Sequence, residues 1–590
     1  MNKTIFIWLL TVFSLGLLRV ESVQAAEVQL PSGTPASQIS QKIEDFVKEH
    51  EKTTAGMETA VFDTKGSIYR GNFGYMDKEK GVKADDDSVF EWGSVTKLTV
   101  WVSVMQLWEE GKIDLEEDIR TYLPEGFLKN LRYDKPITVL DLMNHQAGFE
   151  ESSHAFMENK GQTLEEILAV GQPAQIFEPG TMTGYSNWST GLAAYIVERL
   201  SSQSFADYVH EHIFQPLDMD KTSLLPDFAD NAYVQEKRKE ELTYDTEGKS
   251  LGLNYMKMGL YPAGDAAGTM EDFLKFAQAL LKKEKLFQRS ETWTTLYTAT
   301  STYPETDLPL NLHGFWTQEY GTTVVGHGGN SFGFSSYLLL DLKNGIGMTI
   351  MTNQKNEQVY NYEMPELVFG PKKKTDKATF ENFQPGYYQS ARYFASGPLS
   401  ISRAITPYVG KSADNLLLAQ NYAVVSGQGD QVKVTAAYGD FFRIKDSDLL
   451  KDWGMLALAA MAAVVSLLTF LLRGGLDLFR LVFKKGPSKT PKNLRVWTYV
   501  SSAAVLAVVL NLALLFTAQP TDTSILASWR FMVFAGLGLL LAGCTLYPLV
   551  SKTRKGLSKG RIFLTALTSL SALAVVANIL YWSLYQWWVL

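Results

Sequence analysis

Polar and apolar positions along this chain follow three patterns, each confined to its own stretch. Residues 57–62 and 67–75 have the apolar clustering and alternation of strands, and Asp63-Thr64-Lys65-Gly66 separates them like a hairpin turn. Strand-like runs return at 313–318, 322–325, 335–340 and 346–352. The helical period occupies 38–51, 163–170, 188–201 and 271–282. Strands at both ends of this region, with helices between, predict an α+β domain whose antiparallel sheet is assembled from the two ends.

The third pattern is uninterrupted apolar sequence. Residues 453–472, 497–517, 531–550 and 562–584 are each about 20 residues or longer, enough to cross a bilayer as a helix. At the start of the chain, Lys3, an apolar run over 5–18 and small residues at Val23, Ala25 and Ala26 fit a cleaved export signal. An uncleaved N-terminal anchor is the alternative, and either one exports the large domain behind it. Between these regions, Pro371 and the charges up to Lys377 mark a break, although a solvated loop inside one domain reads the same way. Beyond it, strand-like runs at 415–427 and 431–444 flank Gly427-Gln428-Gly429-Asp430 and suggest a small β-rich connector. The expected organisation is a signal at 1–26, a catalytic domain at 27–370, a linker and connector at 371–452, and a membrane domain at 453–590.

Charge divides the chain at the same place. The formal total is −8, made of roughly −19 before residue 453 and roughly +11 after it. Arg473, Arg480, Lys484 and Lys485 follow the first apolar run and Lys552, Arg554 and Lys555 the third, whereas Arg530 alone flanks the loop between the second and third. The positive-inside bias puts the two basic connections in the cytoplasm, and so the large N-terminal domain and the C-terminus outside. Trp453 and Trp529 suit the outer interface and Trp497 the inner one. With no charge in mid-span, an anchor or helix-packing module is expected rather than a transport path. Cys544, the single cysteine, lies in an apolar run, so the exported part has neither disulfides nor thiolate metal sites and relies on an ordinary core.

Three short patterns carry candidate chemistry. Ser94 and Lys97 stand three apart at the start of an apolar helix, so their side chains share a face beside free backbone NH groups. An N-capping serine with an ordinary lysine fits the same residues. Gly184-Tyr185-Ser186-Asn187 offers a phenol for proton transfer and an amide for orienting a substrate, or else a buried aromatic and a turn residue. Gly326-His327-Gly328-Gly329-Asn330 lets a strand backbone approach a ligand and adds a titratable donor, or is a glycine-rich hairpin turn with a bystander histidine. The remaining histidines lack paired ligand spacing with carboxylates, so no metal is expected.

Taken in order, Ser-x-x-Lys, Tyr-x-Asn and His-x-Gly resemble the serine β-lactamase and penicillin-binding protein-like superfamily, in its class C related branch. Leu142-Met143-Asn144-His145-Gln146-Ala147-Gly148 and the stretch from Pro262 to Thr269 add to the likeness, which covers roughly 35–370. The resemblance implies a β-lactamase/transpeptidase-like fold and no cofactor. It implies Ser94 as acyl-accepting nucleophile, Lys97 in its proton network, Tyr185 as proton carrier and Asn187 as a contact for the acyl side chain. The oxyanion would lie between the backbone NH groups of Ser94 and Asn330, with His327 and Gly329 also at the substrate. Where many relatives carry Lys-Thr-Gly, this chain has His327-Gly328-Gly329, so a permanent positive charge is missing and efficient β-lactam hydrolysis is not expected. The expectation is a multi-pass protein of a bacterial cell membrane with an outward-facing serine hydrolase acting on a small ester or amide. Its partners would be that small-molecule or peptide substrate and the lipid bilayer, not nucleic acid. A catalytically silent receptor for wall fragments or β-lactams, signalling through the helices, is the rival.

Overall fold

The structure, a computed structural model, describes residues 28–152, 161–254, 257–373, 383–405, 408–410, 422–517, 528–550 and 557–587. The expected export signal lies outside the described residues, as do the charges at 374–377 and the first part of the strand expected at 415–427.

Helix α1 (Ile39–Glu49) precedes β1 (Gly56–Asp63) and β2 (Ser67–Asp77), which form the predicted hairpin. The late strands β3 (Thr323–Asn330), β4 (Ser335–Asp341) and β5 (Ile346–Thr352) follow one another as an antiparallel meander. The ends of the region meet where β1 pairs with β5, from Met57 opposite Thr352 to Asp63 opposite Ile346. Among the described residues the sheet has nine strands, with β2, β1, β5, β4 and β3 adjacent in that order. β1 is buried along almost its whole length because both faces are covered. Met57 and Val61 pack with Ile39 and Ile43 of α1, while Ala60 and Phe62 face the helical region.

In that region, α2 (Lys97–Glu109) is buried from Lys97 to Leu107, and α3 (Asn187–Ser201) from Asn187 to Val197. A helix apolar on nearly every side has to run through a core. The first two sequence patterns therefore sit at the N-terminal ends of two central helices that pack on each other. Just before α2, Trp92 is fully buried, with its ring 4.8 Å from Phe273 and 5.8 Å from Phe276, both on α4 (Met270–Lys282). Trp92→Ala would open a cavity next to Ser94, at a cost of about 3–5 kcal/mol.

The segment expected as a connector is a second, five-stranded sheet that includes β6 (Gly386–Ser390) and β7 (Gly439–Arg443). The single run expected at 431–444 is a hairpin of Lys433–Ala436 and β7, turning at Ala437 and Tyr438. This sheet docks onto the first domain by backbone pairing. Asp440 N donates to the Thr183 carbonyl at 2.8 Å, and the Asp440 carboxylate accepts from Thr183 N at 2.8 Å.

Among the described residues, four helices are long and apolar enough to span a membrane: α5 (Asp446–Val482), α6 (Lys492–Thr517), α7 (Ser528–Val550) and α8 (Lys559–Tyr581). α5 overruns the expected 453–472 at both ends and starts inside the segment assigned to the connector. Hydropathy marks only its membrane-thick centre, whereas Asp446 and Asp448 in its first turn and Arg480 in its last suit the helix dipole and extend it. Arg403 from the second domain grips Asp452 of α5 at 3.0 and 3.1 Å, and Tyr581 at the end of α8 donates to the same carboxylate at 2.6 Å.

Candidate active site

Ser94 occupies a 3-10 turn, Gly93–Thr96, that runs straight into α2, and its side chain caps neither element. Thr96 pins the turn: its hydroxyl donates to the Gly93 carbonyl at 2.7 Å and accepts from Ala266 N at 3.1 Å. One helical turn on, Lys97 is fully buried, with Nζ 3.1 Å from Ser94 Oγ and donating to the Ala263 carbonyl at 2.6 Å. Burial, with Arg392 nearby, holds the Lys97 amine well below the usual lysine range against the pull of Glu151 and Asp265. In its neutral form, which burial favours, an amine that donates to Ala263 keeps a lone pair able to accept a proton.

Tyr185 lies above this pair, its ring centroid 4.9 Å from Lys97 Nζ. Its hydroxyl interacts with Ser94 but makes no hydrogen bond of full geometry. Burial pushes the phenol up, so it remains protonated, and the Ser94 contact works the other way. Ser186, not Asn187, caps α3 by accepting from Ser189 N, and Asn187 Oδ1 is buried without a partner. Tyr185 is thus a buried aromatic whose hydroxyl is left for the cavity, and Asn187 is the first residue of α3 rather than its cap.

The His327 segment is the body of β3 rather than a hairpin turn. Gly329 and Gly93 let two backbones touch. A Cβ on Gly329 would lie 2.0 Å from the Trp92 carbonyl oxygen and 3.1 Å from Ser94 N, and one on Gly93, itself at φ +52°, 2.6 Å from Asn330 N. The Asn330 side chain is turned away, accepting from Ser335 Oγ at 2.7 Å. The expectation that His327 is a donor charged part of the time needs correction. It is buried, and burial together with Lys97 pushes its pKa down to about 3, so the ring is neutral at any physiological pH. Its Nδ1 lies 2.6 Å from the Gly328 carbonyl and must carry the proton, which leaves Nε2 as an acceptor without a partner.

Ser94, Tyr185, Asn187, His327 and Asn330 line one cavity of about 360 Å³, with Lys97 and Gly329 directly behind it. Among the described residues no group of three or more His, Cys, Asp or Glu is placed to hold a metal ion.

Several residues of the site carry no mark in the sequence motifs. His145, at φ +56°, accepts from Ser186 N at 3.1 Å and is wedged between the rings of Tyr185 (4.5 Å) and Trp316 (5.9 Å). It lies in the stretch 142–148, as Ala263 lies in 262–269, so position within those stretches was the one signal for them. Ser390, Arg392, Tyr438, Gly439 and Phe441 of the second domain also line the cavity. Arg392 stacks over the Tyr185 ring at 5.2 Å, and its Nε donates to the Glu151 carboxylate. Tyr438 packs edge-on to Tyr185 and His327, at 6.4 and 5.7 Å. Nothing local in the sequence marks these contacts, which join positions far apart in the chain, 241 residues for Arg392 and Glu151.

Protein flp of Staphylococcus aureus (strain MW2) is 25% identical to this chain over 317 residues, 52% of this chain and 59% of that protein. The chain thus spans less than two thirds of that relative's length. Penicillin-binding protein 4 of Amycolatopsis lactamdurans is 24% identical over 324 residues, 51% of this chain and 82% of that protein. Among solved structures, the D-amino acid amidase from Ochrobactrum anthropi SV3 superposes with a TM-score of 0.48 at 22% identity, covering 57% of this chain and 98% of that one. The Beta-lactamase family model matches residues 39–369, more than half of the sequence, and the chain belongs to that family.

Proposed function

We propose that this protein is a membrane-anchored, outward-facing serine hydrolase that opens small esters or amides through an acyl-enzyme. Carrying this reading is the contact between Ser94 Oγ and Lys97 Nζ at 3.1 Å, with the lysine charge suppressed by burial. Ser94 attacks the carbonyl carbon as its proton passes to the Lys97 lone pair, and the oxyanion collects at the backbone NH groups of Ser94 and Asn330. Tyr185, protonated and adjacent, hands a proton to the leaving group and regains one from the water that releases the acyl chain. D-amino-acid peptides of the cell wall are natural candidates for an enzyme on that side of the membrane. A silent receptor needs a pocket but gains nothing from a buried lysine whose charge is disfavoured beside a serine, which favours the enzyme.

The test is labelling of the full chain in membranes with a fluorophosphonate probe. Wild type takes up the probe and Ser94→Ala does not; equal labelling of the two would remove Ser94 as nucleophile.

A further inference from the structure

The catalytic cavity carries a charge that its family-matched part does not supply. Among the described residues that line it there is no Asp, Glu or Lys, and His327 is neutral; Arg392 is the one formally charged side chain. Arg392 lies beyond residue 369, where the family match ends, just after β6 of the second domain. Burial works against its charge, but Glu151 more than offsets that and keeps the guanidinium ionised.

Arg392 is also held in place. Ala391 N donates to the Asp440 carbonyl at 2.8 Å, Arg392 N to Ser390 Oγ at 3.2 Å, and Glu151 N to the Tyr393 carbonyl at 3.0 Å. Glu151 fixes the guanidinium from the protein side, the Tyr185 ring supports its face, and the side chain remains 35% exposed at the cavity. A guanidinium held by Glu151 on one side and lining the cavity on the other presents a fixed, planar donor group to an oxyanion.

We propose that Arg392 makes an anion subsite of this pocket, so that the preferred substrate is an acyl compound carrying a carboxylate or phosphate group near its scissile bond. The positive charge missing from the His327-Gly328-Gly329 strand is then supplied from the opposite wall, by a different domain. Asn187 Oδ1, buried and unpartnered, and the ring of Tyr438 flank the same space and would hold the rest of the ligand.

This subsite deepens the hydrolase reading and rests on it for the word substrate, but its binding can be measured without turnover. The full chain carrying Ser94→Ala, in lipid nanodiscs, is titrated calorimetrically with succinanilic acid and with butyranilide, a pair matched in size and differing in the carboxylate. The acid binds more tightly. Adding Arg392→Gln lowers the ratio of the two affinities about ten- to hundredfold, the worth of charge-assisted hydrogen bonds, and Arg392→Lys restores part of it. Competition by inorganic phosphate against acetate on the Arg392-bearing protein tells which oxyanion is preferred, and needs no variant at 392. Equal affinity for the two anilides, or a ratio unmoved by Arg392→Gln in a protein with unchanged melting temperature, overturns the proposal. A ratio that behaves as expected without fluorophosphonate labelling of wild type would sink the hydrolase and leave the anion subsite standing.

Discussion

The two walls of the cavity treat charge in opposite ways. On the family-matched wall, Lys97, Tyr185 and His327 are all buried, and burial favours the neutral form of each. On the second-domain wall, Arg392 remains ionised, because the Glu151 carboxylate more than compensates for burial. The difference separates two jobs. Proton transfer to and from Ser94 needs groups whose charge can appear and vanish, whereas recognition of an anion needs a charge that does not. Groups whose neutral forms are favoured lie on one wall, and the fixed charge lies on the other.

Breaking the neutral wall has the largest expected effect. Lys97→Ala removes the lone pair that receives the Ser94 proton, and kcat/KM on a chromogenic ester should fall about 10³- to 10⁴-fold. Gly329→Ala pushes a methyl group against the Trp92 carbonyl and parts the backbones of Ser94 and Asn330. Loss of one oxyanion donor predicts a fall in kcat of about 10²- to 10³-fold, and circular dichroism checks that the sheet persists. Tyr185→Phe, which keeps the ring and its packing, should lower kcat about 10²-fold.

Smaller effects sharpen the contrast between the walls. The folded-state pKa of Lys97 is depressed, so its neutral form exists above that lowered value, and kcat/KM should fall as pH drops through it. Arg392 is one cause of the depression, whereas Glu151 and Asp265 oppose it. Arg392→Gln should therefore raise the Lys97 pKa and move the acidic limb of the pH–rate profile to higher pH. An unmoved limb would mean that the two walls are electrostatically independent. The smallest effect concerns His327. Since it is neutral throughout, no ionisation near ~6.5, the ordinary histidine value, should appear in the profile, and His327→Asn should leave the shape of the profile unchanged.

Much of the first wall was legible in the sequence, because its signals are local. The β1–β2 hairpin, the late strands and the apolar helix behind Ser94 follow from side-chain period, although the strand expected at 322–325 runs on to Asn330 and takes in the His327 motif. The protonation state of His327 was not legible, since burial decides it and burial belongs to the fold. The second wall was hidden for a related reason. Its strands are short, and the bonds that seat it, Asp440 to Thr183 and Arg392 to Glu151, join residues far apart in sequence. A segment that reads as a connector can supply one wall of a pocket when its backbone pairs with the family-matched region.

The central claim is that Ser94 is a nucleophile made reactive by a neutral Lys97. Its most direct test is the rate of fluorophosphonate adduct formation on the full chain as a function of pH, with the modified residue located by mass spectrometry. The account predicts a single adduct on Ser94, forming faster as pH rises through an ionisation below the ordinary lysine range, with that dependence lost in Lys97→Ala. An adduct on another serine, or the same rate and pH dependence in Lys97→Ala, would contradict it.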